Sequence, residues 1–120
     1  MTSPAGADPA SELLPLTPVA FEILLSLVEG ERHGYGIMRG VEARTGGATR
    51  LHAGTLYRAL ARLVDNGLIE EVEGAGSGAE DERRRYYRLT TLGRRASVAE
   101  ARRLESQVGA ARRHGLLEGA

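Results

Sequence analysis

The stretch GTLYRALARL carries the side chains of this sequence that are best suited to binding a negatively charged partner. Thr55, Arg58 and Arg62 are spaced by three and then four residues, which places them on one face of a helix. A guanidinium can donate two parallel hydrogen bonds to a phosphate or a guanine edge, and a threonine hydroxyl at a helix start can add another. The same row also fits a solvated helix face, and this stretch alone does not separate the two interpretations.

A second basic cluster lies in DERRRYYR, where Arg83, Arg84 and Arg85 are consecutive. The net charge of the chain is zero, but residues 67–82 carry six acids and no arginine, whereas residues 83–95 carry six arginines and no acid. The local field near this cluster is therefore basic although the whole chain is neutral. A solvated run balanced by the preceding acids is the alternative interpretation.

Neither a catalytic centre nor a metal site is predicted. The sequence has no cysteine, and His33, His52 and His114 are scattered without the spacing of metal ligands. No Ser/His/Asp order, glycine-rich phosphate loop or convergent pair of carboxylates can be identified. We therefore expect a protein that is not an enzyme and that uses no metal and no cofactor.

Three helices, a β-hairpin and a last helix are predicted to position these side chains. Thr17 and Pro18 are a favourable N-cap and first residue for a helix, and NG at 66–67 is a helix stop. In chain order the predicted elements are a helical turn from Ser11, helices from Pro18 to Gly30, over 34–45 and over 53–66, strands over 68–73 and 84–89, and a helix capped by Thr90.

This order predicts a fold that is mainly α with a small β-wing: a winged helix-turn-helix followed by a C-terminal helix. The predicted division is a disordered leader over 1–10, a winged helix-turn-helix domain over 11–89, and a dimerisation helix with its tail over 90–120. The last helix carries a short heptad seam, which must pack on a partner or on the domain. Its members are Ala101, Leu104, Val108 and Ala111.

The apolar run over 13–28 is predicted to be neither a signal peptide nor a membrane span. No basic residue precedes it, and Pro15, Pro18 and Glu22 interrupt it. We expect a soluble cytoplasmic protein.

Four motifs, in this order and spacing, resemble the PadR family of bacterial transcriptional regulators: HGY (33–35), GTLY (54–57), NGLI (66–69) and RRYYRLT (84–90). The resemblance covers roughly residues 16–113, and the short C-terminal helix is similar to that of the smaller subgroup, where a single helix dimerises. It implies a nucleoid-associated winged-helix homodimer that binds a palindromic operator in double-stranded DNA and represses transcription. Some members are released by small aromatic or drug-like effectors.

The resemblance, together with the helical spacing that adds Arg62, Ala101 and Ala111, gives candidate roles for individual residues. The candidate DNA contacts are Tyr35, Thr55, Tyr57, Arg58, Arg62, Arg83, Arg84 and Arg85, and the candidate dimer contacts are Leu13, Leu14, Ala101, Leu104, Val108 and Ala111. One departure concerns the start of the third helix, where His52 and Ala53 replace the Ser or Gly followed by Pro that the family commonly has, so a weaker N-cap is predicted. The alternative function is a winged-helix protein-interaction module without direct DNA readout.

Overall fold

The computed structural model describes residues 8–73 and 85–118, and these residues form eight helices and strands. The described elements are α1 (Pro9–Glu12), α2 (Pro18–Ser26), β1 (Arg32–His33), α3 (Gly34–Arg44), α4 (Ala53–Asp65), β2 (Ile69–Val72), β3 (Tyr86–Leu89) and α5 (Thr91–Arg113). The three strands form one antiparallel sheet in the order β1-β3-β2. The predicted fold class, mainly helical with a small β-wing, is confirmed.

Capping side chains fix the starts of two long helices where the sequence predicts them. The Thr17 hydroxyl accepts a hydrogen bond from the Ala20 N–H at 3.1 Å, with Pro18 as the first helical residue. The Thr90 hydroxyl accepts one from the Gly93 N–H at 2.9 Å and so begins α5. These bonds satisfy N–H groups that the helix itself leaves unpaired.

Helix α4 supplies the centre of the core. Leu56, Leu60 and Leu63 are buried along one side of this helix, as its periodicity predicts, and α2 and α3 pack against that side. The helix ends where Gly67 takes a φ of +75°, a left-handed conformation that glycine adopts without a steric penalty. The buried partners that α2 and α3 supply are Ile23, Leu24, Ile37 and Val41.

Strand β1 is a feature that the sequence did not predict. It pairs with β3 through Arg32 opposite Tyr87 and His33 opposite Tyr86. A strand of two residues is too short to show the alternation of apolar and polar side chains by which a strand is recognised in a sequence. The pairing matters because β1 runs directly into α3, so the hairpin is hydrogen-bonded to the start of the helix-turn-helix.

The N-terminal boundary differs from the predicted one. Helix α1 begins at Pro9 rather than Ser11, because the Asp8 carboxylate accepts a hydrogen bond from the Ala10 N–H at 3.0 Å. Ala10, which was expected to lie in a disordered leader, is fully buried where α1 packs against α5, and Asp8 lies 3.4 Å from the Arg95 guanidinium. The rest of the predicted leader, residues 1–7, lies outside the described residues.

Helix α5 begins inside the core and is held there along its first half. A Cβ at Gly93 would overlap the carbonyl oxygen of Leu68, so the helix and the start of β2 are in direct backbone contact. Further along, the buried Glu100 carboxylate accepts hydrogen bonds from the Leu16 N–H at 3.4 Å and from the Arg103 guanidinium at 2.7 and 2.9 Å. The Arg103 hydrogen bonds hold the pKa of Glu100 below its usual range, although burial opposes this.

Within the described residues, none of the helices combines the length and the apolar character that a membrane crossing requires.

Candidate nucleic-acid interface

The row predicted from the sequence lies along the exposed side of α4. Arg58 and Arg62 are exposed, and Thr55 is half-buried at the first turn. Gly54 leaves room for the Arg58 guanidinium, whose Nη1 lies 3.3 Å from the point that a Cβ at position 54 would occupy. Arg58 therefore folds back over the first turn of α4, where unpaired N–H groups and the helix dipole also favour an anion.

Neither arginine of this row is neutralised by a carboxylate of the described residues. Over residues 8–73 and 85–118, no carboxylate forms an ion pair with Arg58 or Arg62. The start of α4 is held less firmly than those of α2 and α5, because the N-cap residue His52 makes no capping hydrogen bond. This agrees with the weak N-cap that the sequence predicts.

Tyr57 connects α4 to the start of α3. All three atoms nearest to a Cβ built at Gly34 belong to its phenol ring, so the ring rests against the bare backbone of that glycine. Tyr57 is nevertheless 51% exposed, and its ring borders the surface on which Arg58 lies. A side chain at position 34 of the HGY motif would therefore clash with Tyr57. The backbone of Gly34 in turn supports the ring of Tyr57 in the GTLY motif.

Tyr35, the third residue of HGY, lies on the exposed first turn of α3 and is 55% exposed. Its hydroxyl accepts a hydrogen bond from Arg39 at 3.3 Å, and the Arg39 guanidinium carbon stands 5.6 Å from the ring centroid. The His33 ring stacks on the Tyr35 ring with 6.4 Å between the ring centroids, and it makes a T-shaped contact with the Tyr86 ring at a centroid distance of 5.3 Å. The His33 Nδ1 also accepts the Gly36 N–H at 2.9 Å and so caps α3.

Two basic residues that the sequence reasoning missed lie beside this tyrosine. Arg39 and Arg50 are exposed and line, with Tyr35, a surface cleft of about 630 Å³ between α3 and the turn to α4. Arg39 follows Tyr35 by four residues on α3, and this spacing could have identified it, because residues four apart are neighbours on a helix face. Arg50 lies in the turn, where no periodicity marks it.

The wing is described only at its base. Arg85 is exposed immediately before β3, and its Nε lies 3.5 Å from the Glu71 carboxylate on the neighbouring strand. An exposed pair at this distance contributes little stability, so the guanidinium remains available to a stronger anionic partner. Arg83 and Arg84 lie outside the described residues.

The seam predicted on α5 lies on the half of the helix that leaves the core. Val108 is 38% exposed and Ala101 is exposed, whereas Leu104 and Ala111 are half-buried. The N-terminal dimer candidates differ from each other, because Leu13 packs against the core of its own chain and Leu14 is half-buried beside it. Leu116, beyond the end of α5, is 76% exposed.

The arrangement is suited to binding an anionic partner. The Arg58 and Arg62 guanidiniums lie on the exposed side of α4, and the nearby Tyr57 and Tyr35 are also exposed. Among the described residues, no group of three or more His, Asp or Glu could hold a metal ion. A three-helix core whose last helix exposes a basic row, followed by a hairpin, defines a winged helix-turn-helix regulator.

Comparison with known proteins gives the particular family. The sequence profile of the transcriptional regulator PadR-like family matches residues 23–99, and the chain belongs to that family. Its members are regulators of transcription, which are not enzymes.

Two solved structures and one curated relative illustrate the similarity. A transcriptional regulator from Clostridium thermocellum is 30% identical with a TM-score of 0.68, over 79% of this chain and 87% of that one. Bacillus subtilis PadR, solved in complex with operator DNA, is 26% identical with a TM-score of 0.60, over 71% of this chain and 47% of that one. An uncharacterised protein X of Lysinibacillus sphaericus is 35% identical over 72 residues, or 60% of this chain. The match spans 64% of that relative, which is less than two thirds of its length.

Proposed function

We propose that this protein is a DNA-binding repressor that recognises a two-fold operator as a homodimer. One observation carries the proposal: the exposed row at the start of α4 presents two arginines without a carboxylate partner in the described part of the chain. The first residues of the second helix in a helix-turn-helix reach base edges in the major groove. The operator complex of B. subtilis PadR supports the same use of this fold.

The side chains divide into one that reads sequence and several that position the protein. Arg58 donates to a guanine edge, because its guanidinium already lies over the first turn of α4. Thr55, Tyr57 and Arg62 contact the sugar-phosphate backbone beside it, and Tyr35 does so from α3. Arg39 and Arg50 extend this phosphate-binding surface, and Arg83, Arg84 and Arg85 contact phosphates from the wing.

In the proposed division residues 11–89 form the DNA-binding part and 90–120 the dimerisation part, while α1 from Pro9 and the first half of α5 pack against the core of the DNA-binding part. Leu104 and Val108 form the centre of the dimer seam, with Ala101 and Ala111 at its ends. Support comes from the second half of α5, where Val108 is exposed in the single chain. Leu14 can join the seam, whereas Leu13 contributes indirectly by holding α1 on the core.

Repression at an operator places the protein at the nucleoid in the bacterial cytoplasm. Release by a small aromatic or drug-like effector, which the family resemblance implies, is part of the proposal. The experiment that tests its main claim is the selection of bound sequences from random double-stranded DNA with the purified full chain. A two-fold consensus is expected, and a failure to enrich any sequence contradicts the proposal and favours the protein-interaction module.

The role of Arg58 is tested on the selected operator by fluorescence anisotropy. Arg58→Ala is expected to weaken binding by about 1–3 kcal/mol and to relax the preference at one base pair in each half-site. The control is Arg102→Ala, which removes an exposed arginine from α5. Equal affinities for the Arg58→Ala variant and the unmodified protein would refute base recognition by Arg58.

A further inference from the structure

A groove runs along the same arginine row, and its apolar side is not used by the proposed DNA contacts. It lies between α4 and the segment that joins α1 to α2, and its volume is about 390 Å³. Thr55, Arg58 and Arg62 form one side of it, and Leu13, Leu16 and Val19 form the other. The groove thus places an apolar wall opposite two cationic side chains.

The apolar wall is aliphatic. Leu13 and Leu16 of the linking segment and Val19 of α2 contribute to it, as do Ala59 and Leu63 of α4. No aromatic side chain of the described residues lines the groove. Such a wall favours a flexible hydrocarbon body, whose burial is favourable in proportion to the apolar area removed from water. A volume near the lower end of the range for ligand sites suits a body of roughly ten heavy atoms.

The polar side selects the charge of the occupant. None of the described lining residues is acidic, and no carboxylate of the described chain pairs with Arg58 or Arg62. A guanidinium binds a carboxylate through two parallel hydrogen bonds, and the Asn66 amide and the Thr55 hydroxyl add further polar groups. An occupant with one anionic head and an aliphatic body therefore complements both sides.

The wall is held in place independently of any ligand. The Leu16 N–H donates to the buried Glu100 carboxylate of α5, and Ala10 anchors α1 in the core just before the segment. A preformed groove loses less conformational freedom on binding than one that must be assembled.

We propose that this groove binds a medium-chain aliphatic carboxylate, which occupies Arg58 and Arg62 and thereby competes directly with DNA. The competition rests on the proposed function of α4 as the DNA-reading helix, whereas the binding of the carboxylate does not. Because both partners need the same guanidiniums, the effect requires no movement of one domain against another.

The probe is sodium octanoate, titrated into the full-length protein without DNA by isothermal titration calorimetry below its micellar concentration. One octanoate per chain is expected, with roughly tenfold weaker binding for Arg58→Ala/Arg62→Ala and unchanged binding for Arg102→Ala. Octan-1-ol should bind about tenfold more weakly, and octylammonium should not bind, because the arginines repel it. Binding that is non-saturable, or equal in the double variant, overturns the proposal.

A second variant tests the apolar side. Val19→Phe fills the groove without touching a proposed DNA contact, so it should abolish octanoate binding and retain operator binding. If that variant does not fold, NMR on the unmodified protein locates the site: octanoate should change the amide and methyl chemical shifts of Leu16 and Leu63. Chemical-shift changes confined to other residues overturn the proposed site. Octanoate should also raise the apparent Kd for the operator in the unmodified protein and not in Val19→Phe.

The two proposals fail in distinguishable ways. Operator binding without saturable octanoate binding leaves the repressor proposal intact and removes this one. Octanoate binding at the groove without any operator binding supports the carboxylate site and contradicts the repressor proposal. Octanoate binding that leaves operator affinity unchanged contradicts the proposed competition with DNA.

Discussion

The Tyr57 hydroxyl oxygen lies 2.8 Å from the point that a Cβ at Gly34 would occupy. Gly34 belongs to α3 and Tyr57 to α4, the two helices of the helix-turn-helix. Because Gly34 has no Cβ, the Tyr57 ring can lie against the α3 backbone. Alanine at position 34 must displace the phenol ring, which is flexible at its far end, while leaving the backbone unchanged.

Gly34→Ala is expected to weaken operator binding, because it moves Tyr57 away from the DNA-facing surface, and to change the free energy of unfolding by only about 1 kcal/mol. Fluorescence anisotropy and urea unfolding measure the two effects. The matched control is Gly40→Ala in the same helix, where a Cβ would lie 3.8 Å from the Ser26 Cβ, an ordinary contact. If both alanine variants bind the operator equally well, the position of Tyr57 does not matter for binding.

Gly93→Ala is expected to destabilise the fold severely, by about 3 kcal/mol or more, because the added Cβ overlaps the Leu68 carbonyl oxygen. The Leu68 oxygen belongs to the backbone and the added Cβ is bonded directly to the backbone, so neither atom can rotate away and the α5–β2 junction must open. In Gly109→Ala a Cβ would lie 3.5 Å from the Arg113 guanidinium, and alanine there should be neutral or slightly stabilising. Thermal unfolding of the two variants checks the contrast, and similar melting temperatures would contradict the close packing.

Sequence reasoning predicted much of the fold because its signals are local. Thr17 and Thr90 each cap a helix with their own hydroxyl, and the buried leucines of α4 recur at the helical period. The hydrogen bond between Glu100 and the Leu16 N–H joins residues 84 positions apart, and no local pattern identifies it. The groove beside Arg58 likewise depends on how two distant segments pack. The sequence therefore predicted the arginine row but not the apolar residues that face it.

Glu100 should make the stability of the protein depend on pH in the acid range. Its pKa is lowered in the folded state, chiefly by the hydrogen bonds from Arg103, so ionisation of this carboxyl stabilises the fold. The stabilisation is complete above the ordinary glutamate value of about 4.3 and is lost as the pH falls through the lower folded value.

We therefore expect Glu100→Gln to have a smaller loss of unfolding free energy between about pH 5 and pH 3 than the unmodified protein. Urea unfolding across this range measures it. Glu105→Gln, at an exposed position of the same helix, should keep the acid dependence of the unmodified protein. Identical pH profiles for all three proteins would rule out Glu100 as the source.

The proposed dimer depends on the exposed half of α5. Leu104→Glu/Val108→Glu places two charges in the seam, and burial of unpaired charges is costly enough to favour monomers. Sedimentation equilibrium should show a monomer that retains its helical content and binds the operator poorly. Ser106→Glu, which adds a charge on another side of the helix, should remain dimeric, and a dimeric double variant would place the seam elsewhere.

Helix α5 is continuous from Thr91 to Arg113, 23 residues or about 35 Å at the usual rise. Its first half is embedded in the core and its second half carries the proposed seam, so in the proposed dimer the helix would act as a rigid spacer between DNA reading and pairing. One residue inserted between Arg103 and Val108 would rotate the distal half by about 100° and shift it by about 1.5 Å. The length and phase of this spacer would then set the separation of the two half-sites, and a chain with the same α4 could read the same bases at a different operator spacing.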